Sequence, residues 1–157
     1  MQVTKTNAMR MLDADHISYE VHTYDNEDGK IHGSAVAGKI GKAPDRVFKT
    51  LVTHSGNSLY IFVIPVGAEL DMKKAAKAAG EKKLEMLPVK DLQKWTGYIR
   101  GGCSPIGMKK RYPTFIDSSA ELQETIVVSA GKIGLQLELP PEQLAATVAA
   151  LFTEVVK

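Results

Sequence analysis

Two apolar runs, Val47 to Thr53 and Leu59 to Val66, flank the polar quartet Ser55-Gly56-Asn57-Ser58. Strand-length apolar segments joined by a short Gly/Asn turn predict a β-hairpin with antiparallel pairing. Side chains alternate faces along a strand, so Lys49 shares a face with Val47 and Leu51 while Phe48, Thr50 and Val52 line the other. Both faces read as buried. An ammonium in such a strand is costly unless it meets a partner or opens into a cleft, and clefts with a poised cation handle anions or polarised carbonyls. The plainer alternative is that the aliphatic stem of Lys49 lies in the core and its head reaches solvent at the rim.

Around this hairpin the chain alternates irregularly between helical and strand patterns. Thr6 or Asn7 can cap a helix running to about Ala14, Ile17 to Tyr24 alternates like a strand, and Asp25 to Gly33 is a polar loop. Ser34 can cap a short helix that ends at Gly41, and Pro44-Asp45 leads into the Lys49 strand. Asp71 caps a lysine- and alanine-rich helix that stops at Gly80; Lys83 to Leu87 reads as a strand, and Asp91 to Trp95 as a short helix ending near Gly97. Strands follow at Thr114 to Ile116, Thr125 to Ser129 and Leu135 to Leu139. Pro140-Pro141 starts a last helix with Leu144, Ala145, Val148 and Leu151 on its inner side. This order predicts an α+β fold with a mixed sheet rather than a regular βαβ array.

With 157 residues, 44% hydrophobic and 24% charged, the chain is expected to form a single domain over 1–157 with a sizeable core. Leu59 to Val66 is too short to cross a membrane, and Met1 to Lys5 lacks the apolar stretch of a secretory signal, so a cytoplasmic location is expected. Cys103 is the only cysteine, which excludes an internal disulfide and a CxxC motif. A net charge of +2 does not announce a nucleic-acid binder. Lysines nevertheless cluster at Lys73-Lys74-Lys77, Lys82-Lys83 and Lys109-Lys110-Arg111, and they could track a phosphate backbone if they converge on one face.

The run Gly101-Gly102-Cys103-Ser104-Pro105-Ile106-Gly107-Met108-Lys109-Lys110 resembles a phosphate loop but lacks the Lys-Ser/Thr that must follow the last glycine. Its glycines leave backbone N–H groups unobstructed for an anion or a developing oxyanion, or else simply make a tight connection. His16, His22, His32 and His54 show no metal-ligand spacing, and no metal or cofactor is expected. Ser104 and Ser129 lack a nucleophile elbow, and Cys103 has no identifiable base.

The segments Phe48-Lys49-Thr50-Leu51, Pro65, Leu70-Asp71, Thr96-Gly97-Tyr98, Gly101 to Gly107, Ile116-Asp117 and Val128-Ser129-Ala130-Gly131-Lys132, in this order and spacing, resemble the YbaK/EbsC family over essentially the whole chain. The resemblance implies a compact α+β domain whose mixed, barrel-like sheet is flanked by helices. It also implies an enzyme that deacylates mischarged aminoacyl-tRNA, above all Cys-tRNA(Pro) and also Cys-tRNA(Cys), with prolyl-tRNA synthetase as a transient partner and no role for membrane or DNA. By the same resemblance Lys49 is the essential lysine, Gly101, Gly102, Ser104 and Pro105 form the loop that receives the ester, and Tyr24, His32, Ser129, Gly131 and Gln136 fall at the pocket. In the family the attacking group is the substrate's own thiol, releasing a thiolactone in a lyase-like step, or a water. His32 stands where the YbaK pattern has phenylalanine and Gln136 where it has aspartate. These departures keep two alternatives open: a non-catalytic aminoacyl-tRNA or synthetase-binding module, and a deacylase for another amino acid such as alanine.

Overall fold

The computed structural model describes residues 4–157; Met1 to Val3, part of the N-terminal stretch considered above, lie outside the described residues. The hairpin forms as β2 (Phe48–Ser55) and β3 (Ser58–Pro65), paired in register from Phe48↔Pro65 to Ser55↔Ser58. Gly56, first of the two turn residues, has φ 59°, the positive value that a two-residue turn with glycine leading requires. β2 and β3 stand at the centre of a five-stranded sheet in the order β4-β2-β3-β5-β8, with β4 (Glu85–Met86), β5 (Thr114–Asp117) and β8 (Leu151–Thr153). β5 runs parallel to β3, and β8 parallel to β5. A three-stranded antiparallel sheet, β1-β7-β6, is built from β1 (Glu20–Thr23), β6 (Ile126–Ser129) and β7 (Leu135–Leu139). The sheets meet at a parallel bridge between Val47 and Val127 and do not close into a barrel.

Alternation along β3 divides the core. Val63 joins Phe48, Ile116, Val128, Leu137 and Leu139 between the sheets, capped by Met9 and Leu12 of α1 (Asn7–Ala14) and Leu144 of α5 (Pro141–Val148). Phe62 and Ile64 point the other way, onto Ala75 and Ala76 of α3 (Met72–Ala79), with Phe62 stacked on Phe115 at 5.3 Å. Ile61, on the Val63 side, packs with Leu92 and Trp95 of α4 (Val89–Thr96). α3 and α4 therefore cover opposite faces of the larger sheet, and the lysines of α3 do not converge with Lys109-Lys110-Arg111. Among the described residues no helix is long and apolar enough to cross a membrane.

Several expectations need correction. The second helix, α2 (Gly33–Ile40), is capped by His32 rather than Ser34, because the chain turns into helix two residues earlier, and His32 makes no side-chain capping bond. α5 stops at Val148: Ala149 adopts φ 55° and reverses the chain, so Leu151 lies in β8, 65% exposed, instead of on the helix's inner side. The strand expected from Ile17 narrows to Glu20–Thr23, and the one from Lys83 to Leu87 narrows to Glu85–Met86.

A buried carboxylate ties these parts together. Glu138 of β7, 7% exposed, accepts bonds from His22 Nε2 of β1 (2.7 Å), Arg46 (3.1 Å) and Thr125 (2.5 Å), and Lys42 lies at 3.2 Å. Burial acts to raise its pKa, but the bonds from Thr125, His22 and Lys42, with the charge of Lys42, outweigh it and bring the pKa to about 2 from an ordinary 4.5. The ionised form is thus favoured by folding, a contribution that is full above pH 4.5 and disappears as pH falls through about 2. We predict that Glu138→Gln loses roughly 3 kcal/mol at pH 7 and flattens the fall in stability between pH 5 and 2, as read by urea unfolding across that range.

Candidate active site

A cleft of about 480 Å³ opens where β2 leaves the Val47–Val127 bridge. Its walls come from separate parts of the chain: Gly29 to Val36, Val47 to Thr50, Val66, Arg100 to Cys103, and Ser129 with Gln136. Val66 N donates to Val47 O (2.8 Å), and Leu87 N donates to Val52 O (2.9 Å). Alternation then aims the Thr50 amide and carbonyl away from β3, toward an edge that β4 covers only at Thr53 and His54. That uncovered edge is one side of the cleft. The Thr50 hydroxyl is buried there without a hydrogen-bond partner.

Three sources of positive potential meet in this space. Lys49 is half-buried at the wall, and among the described residues no carboxylate lies within ion-pair distance of it. Arg100 is exposed at the rim. The third is the N-terminus of α2, whose residues His32 and Gly33 line the cleft and whose first-turn N–H groups have no side-chain cap. Gly33 permits this placement, since a Cβ there would lie 2.5 Å from Val66 Cγ1. None of the lining residues is acidic. Ile31, Val36, Val47, Phe48 and Val66 supply an apolar floor. The combination suits a ligand with an anionic or carbonyl end and a small apolar part.

Of the residues singled out from sequence, Lys49, His32, Gly101, Cys103, Ser129 and Gln136 all line the cleft. The others do not. Ser104 is fully buried and its Oγ accepts from Ile106 N (3.2 Å), while Pro105 lines a separate cavity of about 170 Å³. Tyr24 is buried with an unpartnered hydroxyl, its ring 5.8 Å from Lys39 Nζ. Gly131 N donates to Ser129 Oγ (3.2 Å). Gly102 is committed to packing: its N–H donates to Ile99 O (3.0 Å), and a Cβ would meet Ile133 N at 3.0 Å. Within the glycine loop the N–H groups of Gly102 and Ile106 are thus engaged inside the protein, and the loop connects α4 to β5. Ile31, Thr50 and Arg100 were not singled out; only Arg100, a cation directly before the glycine pair, left a signal in the sequence.

Glu20, His22 and Glu138 gather closely enough to ligate a metal. The Glu138 oxygens, however, are already engaged by Thr125, Lys42 and Arg46, whose two positive charges oppose a cation there.

A family model for the aminoacyl-tRNA editing domain matches residues 32–147, which include most of the cleft's lining. The chain belongs to the aminoacyl-tRNA editing domain family. It is 47% identical over 153 residues to the Enterococcus faecalis protein named "Putative Cys-tRNA(Pro)/Cys-tRNA(Cys) deacylase EbsC", covering 96% of this chain and 93% of that one. Solved structures share the editing-domain fold at low identity. "Hypothetical protein APE2540" superposes with a TM-score of 0.88 at 18% identity, covering 97% of this chain and all of that one. A "putative trans-editing enzyme for prolyl tRNA synthetase" gives 0.84 at 19%, covering 99% of each.

Within this editing-domain cleft, Cys103 supplies the thiol, and it is disarmed. Burial pushes its thiol up to about 12, against a small opposing bond from Thr96. At pH 8 only roughly 10⁻⁴ of it would be thiolate. Alkylation of the native protein by iodoacetamide at pH 8 is therefore expected to run roughly 10²–10³-fold slower than that of free cysteine, recovering on unfolding in urea.

Proposed function

We propose that this protein is an aminoacyl-tRNA deacylase acting in trans, with Cys-tRNA(Pro) as its main substrate and Cys-tRNA(Cys) as a second. The observation that carries this reading is the placement of Lys49, Arg100 and the uncapped start of α2 around one acid-free cleft, in a chain with a cysteinyl-tRNA deacylase relative at 47% identity. The whole chain acts as one editing unit, in the cytoplasm where tRNA is charged. Prolyl-tRNA synthetase is the partner this reading calls for, in a transient complex.

An aminoacyl ester is already activated relative to an amide, so catalysis here needs orientation and charge stabilisation rather than a strong protein nucleophile. Lys49 holds the ester carbonyl as its oxygen gains negative charge. The α2 N-terminus and Arg100 receive the terminal phosphate and ribose of the acceptor end. Ile31, Val36 and Phe48 enclose the amino-acid side chain, with His32 and Gln136 at its polar edge.

The attacking group comes from outside the protein. With a cysteinyl ester it is the substrate thiol: its sulfur bonds to the carbonyl carbon, the carbon–oxygen bond to the ribose breaks, and the ribose oxygen takes up the thiol proton. The products are a cyclic thiolactone and free tRNA. Water takes this place for an ester whose side chain has no nucleophile. Since one methylene of pocket shape is worth only ~1–3 kcal/mol, the chemistry itself supplies much of the discrimination.

The test is release of radiolabelled amino acid from Cys-tRNA(Pro) and Ala-tRNA(Pro) by the pure protein. Cysteinyl release is expected to fall roughly 10²–10³-fold in Lys49→Ala and to persist in Cys103→Ala. Preference for the alanyl ester would reassign the substrate, and tRNA binding without release of either would make the protein a binding module.

A further inference from the structure

Charge is distributed very unevenly along this chain. The stretch Lys90 to Arg111 holds six cations, Lys90, Lys94, Arg100, Lys109, Lys110 and Arg111, against one carboxylate, Asp91, for a net +5. The whole protein is only +2, so everything outside this stretch sums to −3. All six cations are exposed, and among the described residues none lies within ion-pair distance of a carboxylate. Of the fourteen cations elsewhere, seven, Lys5, Lys39, Lys42, Arg46, Lys74, Lys83 and Lys157, have acidic partners, so what sets this stretch apart is six unpaired cations in 22 residues with a single carboxylate among them.

The fold gathers these charges into a continuous strip. The end of α4 lies directly beside residues 109–112: Lys109 Nζ donates to Lys94 O (3.2 Å), Tyr112 Oη donates to Trp95 O (2.6 Å), and Gly97 lies against the stem of Lys109. The loop between them carries Arg100 and Gly101 into the cleft. At the far end, Lys109, Lys110 and Arg111 line the 170 Å³ cavity, where Arg111 donates to Thr147 O (3.3 Å). The strip thus begins at the candidate active site and leads away from it over one face. α3, with Lys73, Lys74 and Lys77, lies on the opposite face of the sheet.

Exposed cations without ion pairs are unfavourable to gather, because they repel one another with no carboxylate beside them to offset it. A polyanion whose end enters the cleft supplies that compensation. We infer that the surface formed by α4 and residues 109–111 is the docking track for the phosphate backbone of the tRNA acceptor stem, and that the α3 lysines take no part. This rests on the proposed deacylase reading and adds to it the direction in which the tRNA leaves the site. Lys94 and Lys110 act as point charges on phosphates, so they contribute affinity without base specificity.

The test compares Lys94→Gln/Lys110→Gln with Lys73→Gln/Lys77→Gln. Binding of uncharged tRNA(Pro) is followed by fluorescence anisotropy across a salt series, a readout that needs no deacylation. Hydrolysis of full-length Cys-tRNA(Pro) is compared with that of a cysteinyl ester on the terminal CCA trinucleotide. The Lys94/Lys110 variant is expected to weaken tRNA binding roughly tenfold and to lower the log–log salt slope by about 2. Its KM should rise on full-length tRNA but not on the short ester, while the Lys73/Lys77 variant matches wild type. Equal losses in both variants, or an unchanged salt slope in the first, would overturn the track. Failure to hydrolyse either ester while the binding difference persists would count against the deacylase reading and leave the track standing.

Discussion

The ionised carboxylate of Glu138 is the constraint on which the architecture of the cleft rests. It sits among three basic side chains from two parts of the chain, His22 on β1 and Lys42 and Arg46 on the connection between α2 and β2. A buried charge of this kind is tolerable only when fully bonded, and removing one partner leaves the others exposed to the full desolvation penalty. The network therefore fixes where α2 ends and β2 begins relative to the small sheet. Val127 N bonds to Arg46 O beside it, creating the bridge at which the cleft opens. Gln136, two residues before Glu138 on the same face of β7, is thereby held at the wall.

Around that anchor the site works by exclusion as much as by placement. No acid lines the cleft, so the positive potential of Lys49, Arg100 and the start of α2 is not cancelled at short range. The acids are spent elsewhere: Glu138 inside its network, Asp28 on Lys39, Asp117 on Ser119 and the Val155 amide. The glycines also set how closely the walls approach. Gly33 lets α2 press onto Val66, and Gly102 lets the 98–107 loop press onto the turn before β7, so the walls are held by close backbone contact.

The hairpin was legible in the sequence because its two apolar runs and its turn agree at every level, from propensity to register. So were the helix starts at Thr6 and Asp71, where the side chain caps the helix as its chemistry predicts. The start of α2 was misread because Ser34 has the better capping chemistry, yet the contact between Gly33 and Val66 begins the helix earlier. The end of α5 was misread because its apolar spacing continues to Leu151 while Ala149 turns the chain into a strand. Lys49 and Gln136 stood out through the strand pattern and the family resemblance. The cleft walls at Ile31, Thr50 and Arg100 depend on loops meeting across the fold, for which no local period exists. The same limit applied to the lysine clusters: sequence shows their density, but only the sheet decides which face each one occupies.

β1 has a consequence for how this chain must be made. Among the described residues it pairs with β7 alone, more than a hundred residues downstream, whereas β2 and β3 pair across a two-residue turn. During synthesis the central hairpin can form early, while residues 20–23 wait, unpaired, until residues 135–139 have emerged. Such long-range closure is slow compared with hairpin formation. The wall that carries Gln136 is completed in the same step, so a nascent chain acquires its cleft only after β7 has emerged.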